Sequence, residues 1–269
     1  MANSQAADPE PFTAHAAGHA GVTKVRSLVA GSGSEFTGRY GRGVRWMALG
    51  RGCWLAQPAY LLVELLVAAG ASAAYSLRDD TISALGMLTC APGHVGSPVD
   101  ICSPWHVAMN AGFLVFGLLR AAGAVLLRAQ LGRSRWASVA VWLWVVSGLA
   151  TAGVGLFPVD HSPGWHAASA LTVFLLQPFA VLATARALQR FTGLPRSLPL
   201  PGNAIAVVLT VATIAFGARM GASTWVGALE RLALWPTYPW LAVVAWALSA
   251  ANSMRSGFQG RESCPQMPR

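Results

Sequence analysis

Beyond about residue 45 the chain falls into long apolar stretches separated by short polar ones. Six such stretches, at about 53–75, 105–127, 136–157, 166–188, 203–222 and 232–253, each approach the roughly 20 residues that a 30 Å hydrocarbon layer requires. A helix on the surface of a soluble domain keeps a polar face, whereas these are apolar all round, which suits lipid as the surrounding solvent. The pattern therefore predicts an all-α polytopic membrane helix bundle of about six transmembrane helices. Residues 1–45, rich in Ala, Gly, Ser and His without a sustained apolar run, are expected to form a disordered tail. The membrane domain then covers 46–254, and 255–269 forms a second tail. No apolar segment of signal-peptide type follows a basic start, so the first helix is expected to act as its own insertion signal.

Orientation follows from where the arginines fall. Lys24, Arg26, Arg39, Arg42, Arg45 and Arg51 precede the first apolar stretch. Arg128, Arg133 and Arg135 lie between the second and third, Arg186, Arg190 and Arg196 between the fourth and fifth, and Arg255, Arg261 and Arg269 after the sixth. All of these share one side. The other side holds Arg78, Arg219 and Arg231 among Asp79, Asp80, Asp100, Asp160 and Glu230, so the positive-inside rule places both termini in the cytoplasm of a cell membrane.

Composition supports that reading. Of 269 residues 54% are hydrophobic and 11% charged, against about 25% charged in an ordinary soluble domain. The net charge of +9 would suit nucleic acid if it formed a basic face with aromatic interleaving, but it is dispersed into short segments flanking the apolar stretches. Membrane lipids are the partner this implies, and nucleic acid is not. Lys24 is the single lysine among many arginines, alanines and glycines, which suits a GC-rich genome. Trp46, Trp54, Trp105, Trp136, Trp165, Trp225 and Trp235 sit near span ends, as interfacial belts require. Gly217 with Gly221, and more loosely Gly112 with Gly117, have the small-residue spacing that permits close helix contact.

Polar side chains at the outer side carry whatever chemistry the chain has, because hydrocarbon penalises them unless they find partners. Asp80, Ser83, His106, Asn110, Asp160, His161, His166 and Glu230 come from three connections at the same face and are free to converge. Imidazole and carboxylate are ligands for zinc and other divalent ions, and His106, His161, His166 and Asp160 are the candidate set. A metal-bound water beside an acidic base would hydrolyse a lipid ester or amide, with Asp80, Ser83, Asp160, His166 and Glu230 as candidate catalytic groups. Each also has a structural reading: Asp80 capping a short helix from Thr81 with Ser83 supporting the turn, Asp160 and His161 shaping a loop after Pro158, His106 and His166 opening helices, and Asn110 bonding another helix or a loop.

Glu64 and Arg120 lie within spans, where an ion pair between them is the economical arrangement. Glu230 and Arg231 are adjacent and cannot face each other along a helix, so each is expected to find a partner elsewhere. Cys90 and Cys102 flank a Pro- and Gly-rich stretch of the first outer loop and are candidates for a disulfide; Cys53 and Cys264 fall on the cytoplasmic side. No nucleophile elbow, P-loop, dinucleotide fingerprint or HExxH motif occurs.

Three motifs carry a family resemblance. They are Asp80-Thr-Ile-Ser-Ala-Leu-Gly86, Ser103-Pro-Trp-His-Val-Ala-Met-Asn110 with Phe113 and Gly117, and Gly155-Leu-Phe-Pro-Val-Asp160 with His166, together with Glu230-Arg231. In these the chain resembles domain-of-unknown-function family 998 of bacterial and archaeal membrane proteins, from about Cys53 to Ser253. The resemblance implies a six-helix membrane domain and no particular reaction. Glu64 and the Cys90 to Cys102 segment lie outside the family pattern. The functional expectation is accordingly a multispan structural, sensory or accessory protein whose polar residues tie loops to the bundle. A metal-dependent hydrolase acting on a lipid or other amphiphile at the outer leaflet is the alternative. Transport has little support from so few polar positions within the spans.

Overall fold

A computed structural model describes residues 43, 45–72, 75–92, 100–189, 198–221 and 224–262, without the side chains of 199 and 252–262. The expected tail at 1–45 lies almost wholly outside the described residues, as does the end of the second tail. The spans and their connections belong to the compact unit from Trp46 onward.

Six helices are long and apolar enough to cross a membrane. They are α1 (Arg45–Gly70), α2 (His106–Leu131), α3 (Arg135–Leu156), α4 (Pro163–Leu188), α5 (Pro199–Arg219) and a sixth span built from α6 (Val226–Leu234) and α7 (Thr237–Glu262) end to end. A short 3₁₀ helix, Ile82–Gly86, and a two-residue hairpin pairing Ala91 with Ile101 and Pro92 with Asp100 occupy the first connection. The first, third and fifth connections meet at one end of the bundle: Thr89 binds Asp160, and Asp79 binds the backbone N–H of Trp225. We call this end the odd-loop face.

The helices form where the apolar runs predict them, but several ends differ. α1 begins at Arg45, well before the expected start at 53, because its long arginine side chains can reach out of the apolar layer along their own stems. The sixth span begins at Val226 instead of about 232, so Glu230 and Arg231 lie inside a helix and not in a loop. Charge is tolerated there because each residue has a partner, as described below. At the other end α7 runs through residue 255 to Glu262, so the expected tail boundary is not a helix boundary.

Within α1 the regular ladder breaks at residues 56–58. Pro58 has no N–H and its ring crowds the preceding turn. The Gln57 and Ala59 amides donate three residues back, to Trp54 and Ala56. The Gln57 side chain then donates to the carbonyls of Cys53 (3.4 Å) and, across the helix contact, Phe116 of α2 (3.1 Å). A proline in mid-span thus becomes a point of attachment.

The two largest of its apolar clusters do most to hold the bundle. One, toward the even-numbered connections, joins Trp54, Leu127, Trp144, Val181, Leu209 and Leu241. The other, toward the odd-loop face, stacks Tyr60 on Tyr238 (centroids 4.5 Å apart) with Phe113 and Met109 beside them. α2 and α3 approach closely at Gly117, where a Cβ would stand 2.5 Å from the Gly148 carbonyl oxygen and 2.6 Å from the Ala152 nitrogen. The small-residue expectation at Gly217 and Gly221 is corrected: within the described chain a Cβ at either meets nothing within 4 Å. Trp54 and Trp235 also leave the interfacial belt assigned to them. Trp54 is buried and donates to the Arg120 carbonyl, and Trp235 donates to Glu64, since indole N–H groups in an apolar layer seek acceptors.

Candidate functional site

The 3₁₀ helix Ile82–Gly86 is the centre of the odd-loop face, and almost every polar residue there serves to seat it. Thr81 caps it, its Oγ1 accepting from Ala84 N–H at 3.3 Å. This corrects the expectation that Asp80 is the cap; the Asp80 carboxylate accepts instead from Ser76 N–H at 2.7 Å, closing the preceding turn. Glu230 of α6 accepts from Ile82 N–H at 2.6 Å. Ser103 donates to Leu85 O at 2.7 Å, and Asn110 of α2 donates to Gly86 O at 2.9 Å. A five-residue helix cannot hold itself together in isolation. Here side chains from α2, α4 and α6 hold it in place.

Arg231 anchors the same loop from below. Its Nε lies 3.0 Å from Glu64 Oε1, with side-chain exposures of 6% and 0%. Its Nη1 donates to the carbonyls of Leu77 (2.7 Å), Asp80 (3.0 Å) and Gly227 (3.1 Å), and its Nη2 donates to the Tyr75 hydroxyl. Trp235 Nε1–H donates to the other Glu64 oxygen at 3.0 Å. Gly227 permits this approach: a Cβ there would stand 2.1 Å from Asp80 O. The expected Glu64 to Arg120 pair is therefore corrected to Glu64 with Arg231, because α6 enters the bundle far enough to bring its arginine level with α1.

Arg120 has a different environment. Its Nη1 donates to Gln177 Oε1 (3.0 Å) and Thr151 Oγ1 (3.3 Å), and its guanidinium lies over the rings of Tyr238 (5.0 Å) and Trp144 (6.0 Å). Gln177 in turn donates to Thr237 Oγ1 and Leu234 O, joining α4 to the break between α6 and α7. A buried cation is held here by amide, hydroxyl and aromatic faces rather than by a carboxylate.

His166 and Ser83 form the reactive-looking corner. His166 Nδ1 is 2.8 Å from the Phe157 carbonyl, which can only accept, so Nδ1 carries the proton. Nε2 of the neutral ring is then an acceptor, and Ser83 Oγ–H donates to it across 2.9 Å. Ser83 is thus not a support of its own turn, as expected, but a partner of α4. Both residues border a cavity of about 430 Å³ between α4 and α5. Thr81, Ser83, His166 and Glu230 line its polar end, and Ala170, Leu171, Phe174, Phe216, Gly217 and Met220 its apolar length. Leu171 and Met220 are 58% and 64% exposed, so the cavity opens on the outside of the bundle, where a membrane protein meets hydrocarbon. A smaller internal cavity of about 30 Å³, room for about one water, lies between Ser83 and Glu230 on one side and Thr151 and Tyr238 on the other.

The remaining candidates are placed apart from this corner. His106 Nδ1 pairs with Ser103 O at 2.9 Å, and His161 is exposed. Asp160 accepts from the N–H and hydroxyl of Thr89 at 2.8 and 2.9 Å. Partial burial opposes its ionisation, but these bonds outweigh it and hold its pKa below the usual carboxylate value. The proposed zinc set does not assemble: among the described residues no three His, Cys, Asp or Glu side chains stand together as ion ligands. The reason is local, since His106, His166 and Asp160 each satisfy a different segment of loop. Cys90 and Cys102 are joined by a disulfide that closes the hairpin, and Cys53 is a free thiol; Cys264 lies outside the described residues. Sequence reasoning missed Tyr75, Thr151, Gln177 and Trp235 as members of the buried networks. For Gln57 and Gln177 a signal existed, an amide in mid-span that lipid would leave unsatisfied.

Comparison with curated proteins and with solved structures found no match. A family model described as "Protein of unknown function (DUF998)" matches residues 54–247, which takes in the second to fifth spans whole, much of the first and sixth, the Ser83 loop, His166 and the Glu230-Arg231 pair. The chain is a multispan membrane protein that belongs to this family.

Proposed function

We propose that the protein is a sensory or accessory membrane protein that holds one amphiphile of the extracytoplasmic leaflet. The acyl chain lies along Ala170, Phe174 and Phe216 between α4 and α5, and the polar head meets Thr81, Ser83, His166 and Glu230. The cavity carries this reading. Its volume falls within the ~300–1,000 Å³ of small-molecule sites, its lining is mostly apolar with Thr81, Ser83, His166, Thr213 and Glu230 as the polar groups, and its mouth opens on the outside of the bundle. Arginine bias supports placing the odd-loop face outside a cell membrane, and the Cys90–Cys102 disulfide at that face suits an oxidising compartment.

Gly217 supplies the test. Added side-chain atoms there enter open space, so Gly217→Leu occupies the cavity while leaving the helix contacts intact. Protein purified from membranes in mild detergent and extracted for lipid mass spectrometry should carry about one enriched amphiphile per chain. Gly217→Leu and Ala170→Trp should carry much less. Equal amphiphile content in wild type and both filled variants would overturn the reading.

A further inference from the structure

The Ser83–His166 contact has more order than a loop staple needs. Asn110, Ser103 and Glu230 hold the 3₁₀ helix through its backbone, whereas the bond to His166 is made by the Ser83 side chain. Ser83 Oγ is aligned on the one ring nitrogen of His166 able to take its proton, 2.9 Å away, and the Phe157 carbonyl fixes the tautomer from the other side. A hydroxyl, a neutral imidazole acceptor and an orienting acceptor in series is the arrangement that activates a serine nucleophile. Ser83 is only partly buried and borders the cavity, so a bound molecule has access to its oxygen.

We infer that Ser83 and His166 form a metal-free nucleophile and base that transfer the acyl group of a carboxylic-ester amphiphile. This rests on the amphiphile-binding reading above and adds a reaction to it. Ser83 Oγ bonds to the ester carbonyl carbon, the carbon–oxygen bond to the alcohol portion breaks, and the Oγ proton passes to His166 Nε2 and then to the departing alcohol oxygen. The acyl group held on Ser83 then passes to water or to the hydroxyl of a second amphiphile. His166 takes that proton and returns it to Ser83 as the Oγ–C bond breaks, so no oxidant, reductant or metal enters the balance.

A long-chain alkyl fluorophosphonate reports the pair directly, because only an activated serine displaces its fluoride. The full chain in lipid nanodiscs should acquire one alkylphosphonyl group on the peptide bearing Ser83. Labelling should vanish in Ser83→Ala and slow on the order of 10²-fold or more in His166→Gln, the scale of a lost general base. Amphiphile content and melting temperature of each variant, measured alongside, show that the fold persists. Retained amphiphile with an unlabelled Ser83, or labelling unaffected by His166→Gln, overturns the inference and leaves the binding reading standing. Absence of both amphiphile and label overturns both.

Discussion

Replacing Glu64 by Leu strands the Arg231 guanidinium in the bundle. Three carbonyls and the Tyr75 hydroxyl still accept from it, but its ion-pair partner Glu64 is gone. Removing one member of a buried ion pair costs about 3–5 kcal/mol, and the surviving acceptors place this site near the lower end. Glu64→Gln keeps an acceptor for Trp235 Nε1–H and loses the charge, so it should cost less, about 1–3 kcal/mol. Reversible unfolding in mixed micelles, followed by tryptophan fluorescence, gives each value. A double-mutant cycle then asks which arginine Glu64 senses. Glu64→Leu with Arg231→Leu should show a coupling of about 2 kcal/mol, whereas Glu64→Leu with Arg120→Leu should be additive within about 0.5 kcal/mol. A larger coupling to Arg120 would refute the pairing, and with it the depth at which α6 enters the bundle.

Gly117→Ala should destabilise the detergent-solubilised protein by about 1–3 kcal/mol, because its methyl group meets backbone of α3 that cannot yield. Gly217→Ala should instead gain up to about 1 kcal/mol from helix propensity, and melting shifts of the same sign for the two would contradict the packing described. Asp160 has its folded pKa lowered, so the stability it supplies is complete above the unfolded value of about 3.9 and is lost as pH falls through the lower folded value. Solvent screening at this exposed site keeps the contribution at about 1 kcal/mol or less. Asp160→Asn should flatten the acid limb of a stability-against-pH curve, and an unchanged limb would remove Thr89 as its partner.

The sequence announces the bundle clearly because lipid imposes one rule on every residue of a span. Six apolar runs of the right length, with arginines at alternate connections, leave little room for another architecture. The partners of the few buried charges are less legible. Glu64 and Arg120 are natural mates only while Arg231 is assigned to a loop, and the hydrocarbon penalty favours that assignment until the fold brings Glu64 of α1 level with Arg231 of α6. The same holds for Ser83. Local rules make it a turn residue, and only the fold brings Phe157 and Ser83 to opposite nitrogens of one imidazole. The glutamines at 57 and 177 are legible in the same way, since lipid leaves a neutral amide short of partners just as it does a charge.

The clasp between Glu64 and Arg231 also constrains how the chain can be made. Its acidic half sits in the first of the six spans to leave the ribosome and its basic half in the sixth, with four complete membrane crossings synthesised between them. Until the sixth span arrives, α1 must reside in the bilayer with a carboxyl group that is either protonated or shielded by the insertion machinery, at a cost of a few kcal/mol. Assembly of the six-span body thus closes a ring: the sixth span neutralises the first of them, and a chain cut before Arg231 should be recognisable to membrane quality control by the acid it leaves exposed.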